Sequence, residues 1–206
     1  MFKSIGLLTL LLLPAALIAQ NPRSATGGES SLWAGVDFAT YNPDYDCNGS
    51  YPFSCFDSQV RGPGAFVDFN VHPKWGAEGE ARWLNWNGHG NQKISNYLGG
   101  GRYRVVRFDH LDVWAKFLVG GGWITTPGYP DAGSLKGSYF TYVPGVEFEY
   151  PQMRRLKLHG AYEYEIWPSF AGPTTFNTTT GAPIYHNNGL TPSGFSLGVT
   201  YRFLGQ

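Results

Sequence analysis

The stretch Gly194 to Phe203 reads GFSLGVTYRF, and its side chains alternate strictly in polarity. Successive side chains of a β-strand point to opposite faces, so this segment has one apolar face and one polar face. The apolar set is Phe195, Leu197, Val199, Tyr201 and Phe203, and the other set is Ser196, Gly198, Thr200 and Arg202. Such a strand fits a soluble sheet with an apolar core, and it fits equally a membrane barrel with a polar interior.

About eight segments of the chain share this period of two, and none shows a convincing helical period. They lie near residues 31–41, 59–71, 75–86, 92–105, 111–125, 138–150, 156–170 and 193–203. Each spans around ten residues or more, whereas ordinary strands average about five or six. This length matches the roughly 9–11 residues that a tilted strand needs to cross a bilayer.

The connections between these segments alternate in length. Short connections lie at 72–74, 106–110 and 151–155, and longer ones lie at 42–58, 126–137 and 171–192; the connection at 87–91 is also brief. Outer-membrane barrels have this alternation, with tight turns on the periplasmic side and longer loops outside.

The N-terminus has the pattern of a secretory signal peptide. Lys3 precedes a Leu-rich apolar run over 5–18, and Ala19 is a small residue at a plausible cleavage point. The run of about 14 residues is shorter than the roughly 20 of a spanning helix, so we expect cleavage rather than an uncleaved anchor. The predicted organisation is a signal peptide over 1–19, a polar segment over 20–30 and one β-barrel domain over 31–206.

The predicted fold is all-β, an eight-stranded antiparallel up-and-down transmembrane β-barrel. Export by a signal peptide permits an outer-membrane location, and the long strands fit a membrane crossing. Aromatic residues also gather near the strand ends, where membrane barrels have their interfacial girdles. They are Trp83, Trp86, Trp123, Tyr139, Tyr150, Trp167, Tyr201 and Phe203. A soluble sandwich or a lipocalin-like barrel is the alternative.

A barrel of this kind would carry its charged side chains on the inward face. An eight-stranded barrel is just wide enough for side chains to fill, and an isolated buried charge is very costly. We therefore expect opposite charges to pair and to plug the lumen. The predicted lumen network is Glu78, Glu80, Arg82, Arg102, Arg104, Lys116, Glu147, Glu149, Glu163, Glu165 and Arg202, and Asp68, Lys157 and His159 share its face.

The stretch YEYEIW, Tyr162 to Trp167, carries two glutamates on one strand face. Glu163 and Glu165 could in principle act as an acid/base pair. The same spacing recurs at Glu78/Glu80 and at Glu147/Glu149, which is expected of a lumen lining and unexpected of one active site. We therefore predict that Tyr162, Tyr164 and Ile166 face lipid, and we predict no catalytic residues.

Two cysteines, Cys47 and Cys55, lie in a segment rich in Tyr, Asn, Gly and Ser. In an exported protein a disulfide between them is expected, with two free thiols as the alternative. Histidine is absent from metal-ligand spacing near this pair, so no metal site is predicted. The triple glycines at 99–101 and 120–122 do not open a helix as a phosphate loop requires, and no cofactor is predicted.

These features resemble the small outer-membrane β-barrels of Gram-negative bacteria, the OmpA-like and OmpX-like barrels. The resemblance rests on the signal at 1–19, the periodic strands and the closing GFSLGVTYRF. Barrels of this family typically end on an aromatic residue that the assembly machinery recognises; the resemblance gives this part to Phe203, within an aromatic signature that includes Tyr201. It implies outer-membrane lipids and the barrel-assembly machinery as partners and a bacterial outer-membrane location.

The function predicted from the sequence is that of a monomeric, non-enzymatic outer-membrane barrel with a structural or surface-interaction role. One alternative is a narrow, porin-like passive channel for ions or small solutes. A barrel enzyme that modifies lipid A is a further alternative, by analogy of fold alone. The formal net charge of zero gives no basic footprint for nucleic acid, so no such partner is predicted.

Overall fold

A computed structural model of the chain describes residues 30–44, 59–85, 92–125, 136–170, 173–176, 180, 182–185 and 189–205. Its strands are β1 (Ser31–Asn42), β2 (Val60–His72), β3 (Trp75–Leu84), β4 (Lys93–Phe108), β5 (Leu111–Thr125), β6 (Lys136–Met153), β7 (Leu156–Tyr164), β8 (Pro173–Phe176), β9 (Pro183–Tyr185) and β10 (Ser193–Leu204). Within this described part, no helix has the length and hydropathy needed to span a bilayer. The predicted signal peptide and both cysteines lie outside the described residues.

Eight of these strands close into a barrel in the order β1-β10-β7-β6-β5-β4-β3-β2. Every neighbouring pair is antiparallel, and β1 closes the barrel by pairing with both β2 and β10. The central pair of the closing ladder is Asp37 opposite Gly198. The predicted fold, an all-β eight-stranded antiparallel up-and-down barrel, is therefore confirmed.

Tight turns join the strands at one end of the barrel, which we call the turn side. These turns lie at 73–74, 109–110 and 154–155. The other end, the loop side, carries the connections at 43–59, 85–92, 126–135 and 165–192. In the last of these, β8 and β9 form a separate two-stranded sheet that the sequence did not predict.

Strand β7 ends earlier than its alternating pattern predicted. The prediction of a strand over 156–170 was wrong in its last residues, because β7 ends at Tyr164. Beyond it the chain makes only isolated bridges, from Ile166 to Tyr142 and from Trp167 to Leu190. Pro168 follows directly, and proline has no N–H to donate to a ladder. The chain therefore leaves the barrel wall here.

The outer face of the barrel is apolar. Leu197 has 74% of its surface exposed and Phe195 has 61%, while Arg82 and Arg102 are each only 1% exposed. A soluble protein rarely exposes a contiguous apolar surface of this kind. The polarity of the two faces is therefore that of a membrane barrel and not that of a soluble one.

Aromatic residues near the strand ends divide between the two faces. Those exposed on the outside are Trp83, Trp123, Tyr150, Tyr201 and Phe203. On the loop side, the outward ring of Tyr97 makes edge-to-face contacts with Trp83 and Trp123. The girdle prediction was wrong for Trp167, which is fully buried inside the barrel, and for Tyr139, which is partly buried against a buried apolar cluster that contains Trp167. Trp86 lies outside the described residues.

Candidate functional site

The barrel interior is the candidate functional site, because the charged residues of the strands meet there. The structure places all eleven residues of the predicted network on the inward-facing side of their strands. Nine of them lie deep inside, and Arg104 and Arg202 lie near the turn side. Asp68 and His159 are also buried inside, and Lys157 reaches in from β7. Three cations, each on its own strand, organise the contacts.

Arg102 of β4 organises the part of the interior nearest the turn side. Its guanidinium lies 2.8 Å from Asp68 and 2.9 Å from Glu147 through Nη1, and 2.7 Å from Glu149 through Nη2. It also stacks over the indole of Trp114, with 4.0 Å from Cζ to the ring centre. A planar guanidinium suits this role, since its fixed N–H groups can satisfy several carboxylates at once.

The three carboxylates around Arg102 have a second possible use. Carboxylate oxygens of Asp68, Glu147 and Glu149 all lie within 4.8 Å of one another, close enough to hold a metal ion together. Arg102 contacts all three carboxylates at hydrogen-bond distance. The three carboxylates therefore already share the charge of Arg102, and the arrangement is that of an ion-pair cluster.

Four further contacts extend this cluster of Arg102, Asp68, Glu147 and Glu149, which we call the lower cluster. Nδ1 of His159 lies 3.1 Å from Oε1 of Glu147. The imidazole also packs against Phe66, with ring centroids 4.2 Å apart. Lys157 contacts Glu149 at 2.7 Å, and Trp114 donates from Nε1 to the same carboxylate at 3.1 Å. The carboxylates of β6 thus have partners from three different strands, β4, β5 and β7.

Lys116 of β5 organises the middle of the interior. Its ammonium lies 2.8 Å from Glu78, 3.3 Å from Glu80 and 2.5 Å from Glu163. The first two carboxylates come from β3 and the third from β7, so this one side chain bridges across the lumen. An ammonium has three N–H donors, and each here has a carboxylate within reach.

Arg82 of β3 organises the part nearest the loop side. It pairs with Glu80 on its own strand, with Glu163 at 2.8 Å and with Glu165 at 3.6 Å. Its guanidinium also donates to the hydroxyl of Tyr41. Tyr41 in turn donates to Glu163 at 2.6 Å. The two glutamates of YEYEIW are therefore both held by the same cation.

Glu165 receives two more hydrogen bonds from neutral donors. Asn96 donates to Oε1 at 2.6 Å, and the indole Nε1 of Trp167 donates to Oε2 at 2.7 Å. The carboxylate is fully buried. Buried carboxylates require such partners, because an unpaired charge away from water is costly. Both oxygens of Glu165 therefore have hydrogen-bond partners inside the barrel.

Above Arg82 the interior turns apolar. We call this the loop-side apolar cluster, and its buried members are Ala39, Tyr41, Val60, Leu84, Ile94, Ile124, Trp167, Phe170 and Leu190. Most come from the loop-side ends of five barrel strands, and the last three come from the segment between β7 and β10. Trp167 makes ring contact with Tyr139, at 6.0 Å between centroids. The cluster covers the polar network on this side.

Sequence reasoning missed the neutral members of the site. Tyr41, Asn96 and Trp114 each bind a buried charged group, as does Trp167. The missed signal was strand parity. Tyr41 shares the face of Asp37, Trp114 that of Lys116, and Asn96 that of Arg102. Each could have been placed inside by its position.

Solved structures with the same fold were found among bacterial outer-membrane proteins. Neisserial surface protein A (NspA) matches with a TM-score of 0.58 and 9% identity, over 84% of this chain and 99% of that chain. Ail, the attachment invasion locus protein of Yersinia pestis, matches with a TM-score of 0.50 and 16% identity, over 85% and 99%. The N-terminal β-barrel domain of Pseudomonas aeruginosa OprF matches with a TM-score of 0.50 and 10% identity, over 85% and 99%.

These likenesses confirm, at the level of fold, the resemblance to small Gram-negative outer-membrane barrels. The identities are low, so the likeness concerns the fold alone. No protein-family model and no curated protein matches the chain.

Proposed function

We propose that the chain is a non-enzymatic integral outer-membrane protein whose lumen is closed by its own side chains, with a structural or surface-interaction role. The observation that carries the proposal is the inverted polarity of the barrel. Leu197 and Phe195 point outward while Arg82, Arg102 and Lys116 are buried with their carboxylates. An apolar outer face together with buried ion pairs is favourable when lipid surrounds the barrel and unfavourable when water surrounds it.

Closure of the lumen is supported by the way its contents change along the barrel axis. Three ion-pair clusters, around Arg102, Lys116 and Arg82, lie one above another. The clusters of Lys116 and Arg82 share the carboxylates of Glu80 and Glu163. The loop-side apolar cluster follows them. An ion crossing this interior would have to displace buried pairs and then pass an apolar zone, and both steps are costly.

The alternative of a narrow passive channel is disfavoured by the same contacts. If the lumen did open, its lining would favour cations, because buried carboxylates outnumber buried basic groups. The buried carboxylates are Asp37, Asp68, Glu78, Glu80, Asp112, Glu147, Glu149, Glu163 and Glu165, and the buried lysine and arginine side chains are Arg82, Arg102 and Lys116. Rings of acidic side chains select cations in pores.

The proposed partners are outer-membrane lipids and the barrel-assembly machinery, with a monomer as the working unit. The outward aromatics Tyr201 and Phe203 of β10 are accessible on the outer face. Because β1 pairs with both of its neighbours, the barrel has no free strand edge for a second copy to extend.

Cell fractionation combined with gel migration tests the proposal. The protein produced in a Gram-negative host should be found with the outer membrane, and it should migrate differently before and after boiling in SDS. Recovery in the soluble periplasm, with no shift on boiling, would contradict it. Lipid A mass profiles with and without the protein test the enzymatic alternative, and an unchanged profile is expected.

A further inference from the structure

The turn side of the barrel contains a cavity of about 320 Å³, which we call the turn-side cavity. It lies between the beginning of β1, the end of β10 and the turn joining β6 to β7, with the β4–β5 hairpin opposite. Ligand pockets range from about 300 to 1,000 Å³, so this volume suits a small molecule. The exposed side chain of Arg154 lies at its rim.

Basic side chains dominate the lining of this cavity. One carboxylate, Asp112, stands among five basic residues, which are Arg104, Arg107, Arg154, Lys157 and Arg202. Asp112 is already bound, because Arg107 donates to its two oxygens at 2.6 and 2.7 Å.

Two of these basic residues remain without a counter-ion. Lys157 pairs with Glu149 of the lower cluster, and Arg104 lies 3.7 Å from Asp112. Within the described ranges, Arg154 and Arg202 have no carboxylate partner. The cavity therefore carries an uncompensated positive charge.

Arg202 is held so that part of its guanidinium stays available. It donates from Nη2 to the carbonyl oxygen of Arg154, and its Cζ lies 5.2 Å from the centre of the Trp33 ring. The ammonium of Lys157 lies 3.9 Å from the same ring. The Nε–H of Arg202 is buried and has no hydrogen-bond partner among the described residues. A buried donor of this kind needs an acceptor.

We propose that the turn-side cavity is an anion-binding site that takes the phosphate group of a small molecule, with Arg202 and Arg154 as its main ligands. Arginine binds phosphate through paired N–H groups and without a change of protonation. The cavity would face the periplasm if the tight turns lie on that side of the membrane, as we propose. The binding chemistry does not depend on this orientation.

The residues between the cavity and the rest of the lumen should keep a bound anion in the cavity and prevent it from passing further into the barrel. Glu149 lies directly beyond Lys157 and Trp114, and Arg102 joins it to Glu147. An anion that passed the basic mouth would meet these carboxylates, and like charges repel. A phosphate group should therefore stop in the cavity.

Tryptophan resonances offer a direct test. The folded protein is labelled with ¹⁵N at its seven tryptophans, in a phosphate-free non-ionic detergent, and titrated with inorganic phosphate at constant ionic strength set by chloride. The indole N–H signals of Trp33 and Trp114, which line the cavity, should shift and saturate. Those of Trp83 and Trp123 on the outer face should not move.

Arginine variants on one turn provide the matched control. Arg154→Gln and Arg202→Gln should each weaken phosphate binding by at least about tenfold, since each removes a charged hydrogen-bond donor. Arg155→Gln removes the same charge from the same turn, but Arg155 points to the hydroxyl of Tyr201 at 3.4 Å and does not line the cavity. Its binding should be unchanged.

Two results would overturn the proposal. One is a shift that never saturates, and the other is an equal loss of affinity in Arg155→Gln. If Arg202→Gln does not fold, Arg154→Gln decides alone, because its side chain is exposed. Nanodiscs of phosphatidylglycerol separate the two sources of phosphate. Signals of Trp33 and Trp114 already shifted without added phosphate would assign the site to lipid headgroups, and signals that shift only on addition would assign it to a soluble ligand.

Discussion

Arg102 is the residue on which the stability of the lower interior depends most directly. It is buried with three carboxylates and the face of Trp114. Buried ion pairs contribute little net stability compared with apolar packing, but removing one partner leaves charges buried without compensation. Loss of Arg102 would therefore destabilise the barrel mainly because three buried carboxylates would lose their shared counter-ion.

The substitution Arg102→Met should destabilise the folded barrel by about 3–5 kcal/mol, because Asp68, Glu147 and Glu149 would lose their shared cation. The measurement is the free energy of unfolding by urea in lipid vesicles. Arg107→Met is the control, since Arg107 pairs with Asp112 at 2.6 Å but has a side chain 60% exposed. Exposed pairs contribute at most about 1 kcal/mol. Equal losses in the two variants would contradict the buried network.

Two leucines of β10 test the assignment of the outer face. Leu197 lies in the middle of the strand and Leu204 at its turn-side end, and both are exposed. Leu197→Arg should cost roughly 2–4 kcal/mol of folding into vesicles, and Leu204→Arg about 0–1, because the cost of arginine on a lipid face depends on depth. Similar, small costs at both positions would indicate that the outer face is not in lipid.

At the scale of the element, the end of β7 determines which residues fill the loop side of the lumen. The chain leaves the wall after Tyr164, and Trp167 enters the lumen beside Glu165. Gly122 of β5 provides the room, because a Cβ built there would overlap the indole of Trp167. Within the triple glycine at 120–122, the third residue, Gly122, is therefore needed for the packing of Trp167.

Gly122→Ala should therefore displace Trp167 and destabilise the barrel by about 1–3 kcal/mol, the usual cost of overpacking. Gly121→Ala is the matched neighbour, since its Cβ would point to the outside and lie 3.3 Å from the ring of Trp123. Unfolding free energies of the two variants give the comparison. A larger loss in Gly121→Ala would show that the loop-side cluster does not depend on Trp167.

Strand parity explains what the sequence could and could not predict. The alternation of YEYEIW placed Glu163 and Glu165 inside, where the structure has them. Parity also puts Trp167 on their face, but its residue type suggested an interfacial girdle, and that prediction was wrong. The same error was made for Tyr139 of β6, which parity places inside and which packs against the loop-side apolar cluster. Parity is set by backbone geometry, whereas an aromatic ring suits either a core or an interface.

Pairing partners were beyond the reach of the sequence. Period two shows that Lys116 and Glu163 share the interior, but the contact between them depends on the stagger of strands β5, β6 and β7. That stagger is set only when the barrel closes. The turn-side cavity has the same origin, since it gathers residues from both chain ends of the barrel, from two turns and from the strands of the β4–β5 hairpin.

At the scale of the whole molecule, one arrangement satisfies both faces of every strand. The outside is apolar along its full circumference, and the inside holds paired charges below an apolar cluster. We therefore expect the assembled barrel to insert into a bilayer and to keep its lumen closed.

Conductance across a planar bilayer tests this claim most directly. The folded wild-type protein, inserted from detergent at increasing concentration, should give no steady open channels, because three ion-pair clusters and the loop-side apolar cluster lie across the path. Insertion is verified in the same membranes by protection from added protease. Steady, ohmic channels selective for cations would contradict the closed lumen and identify the protein as a narrow pore.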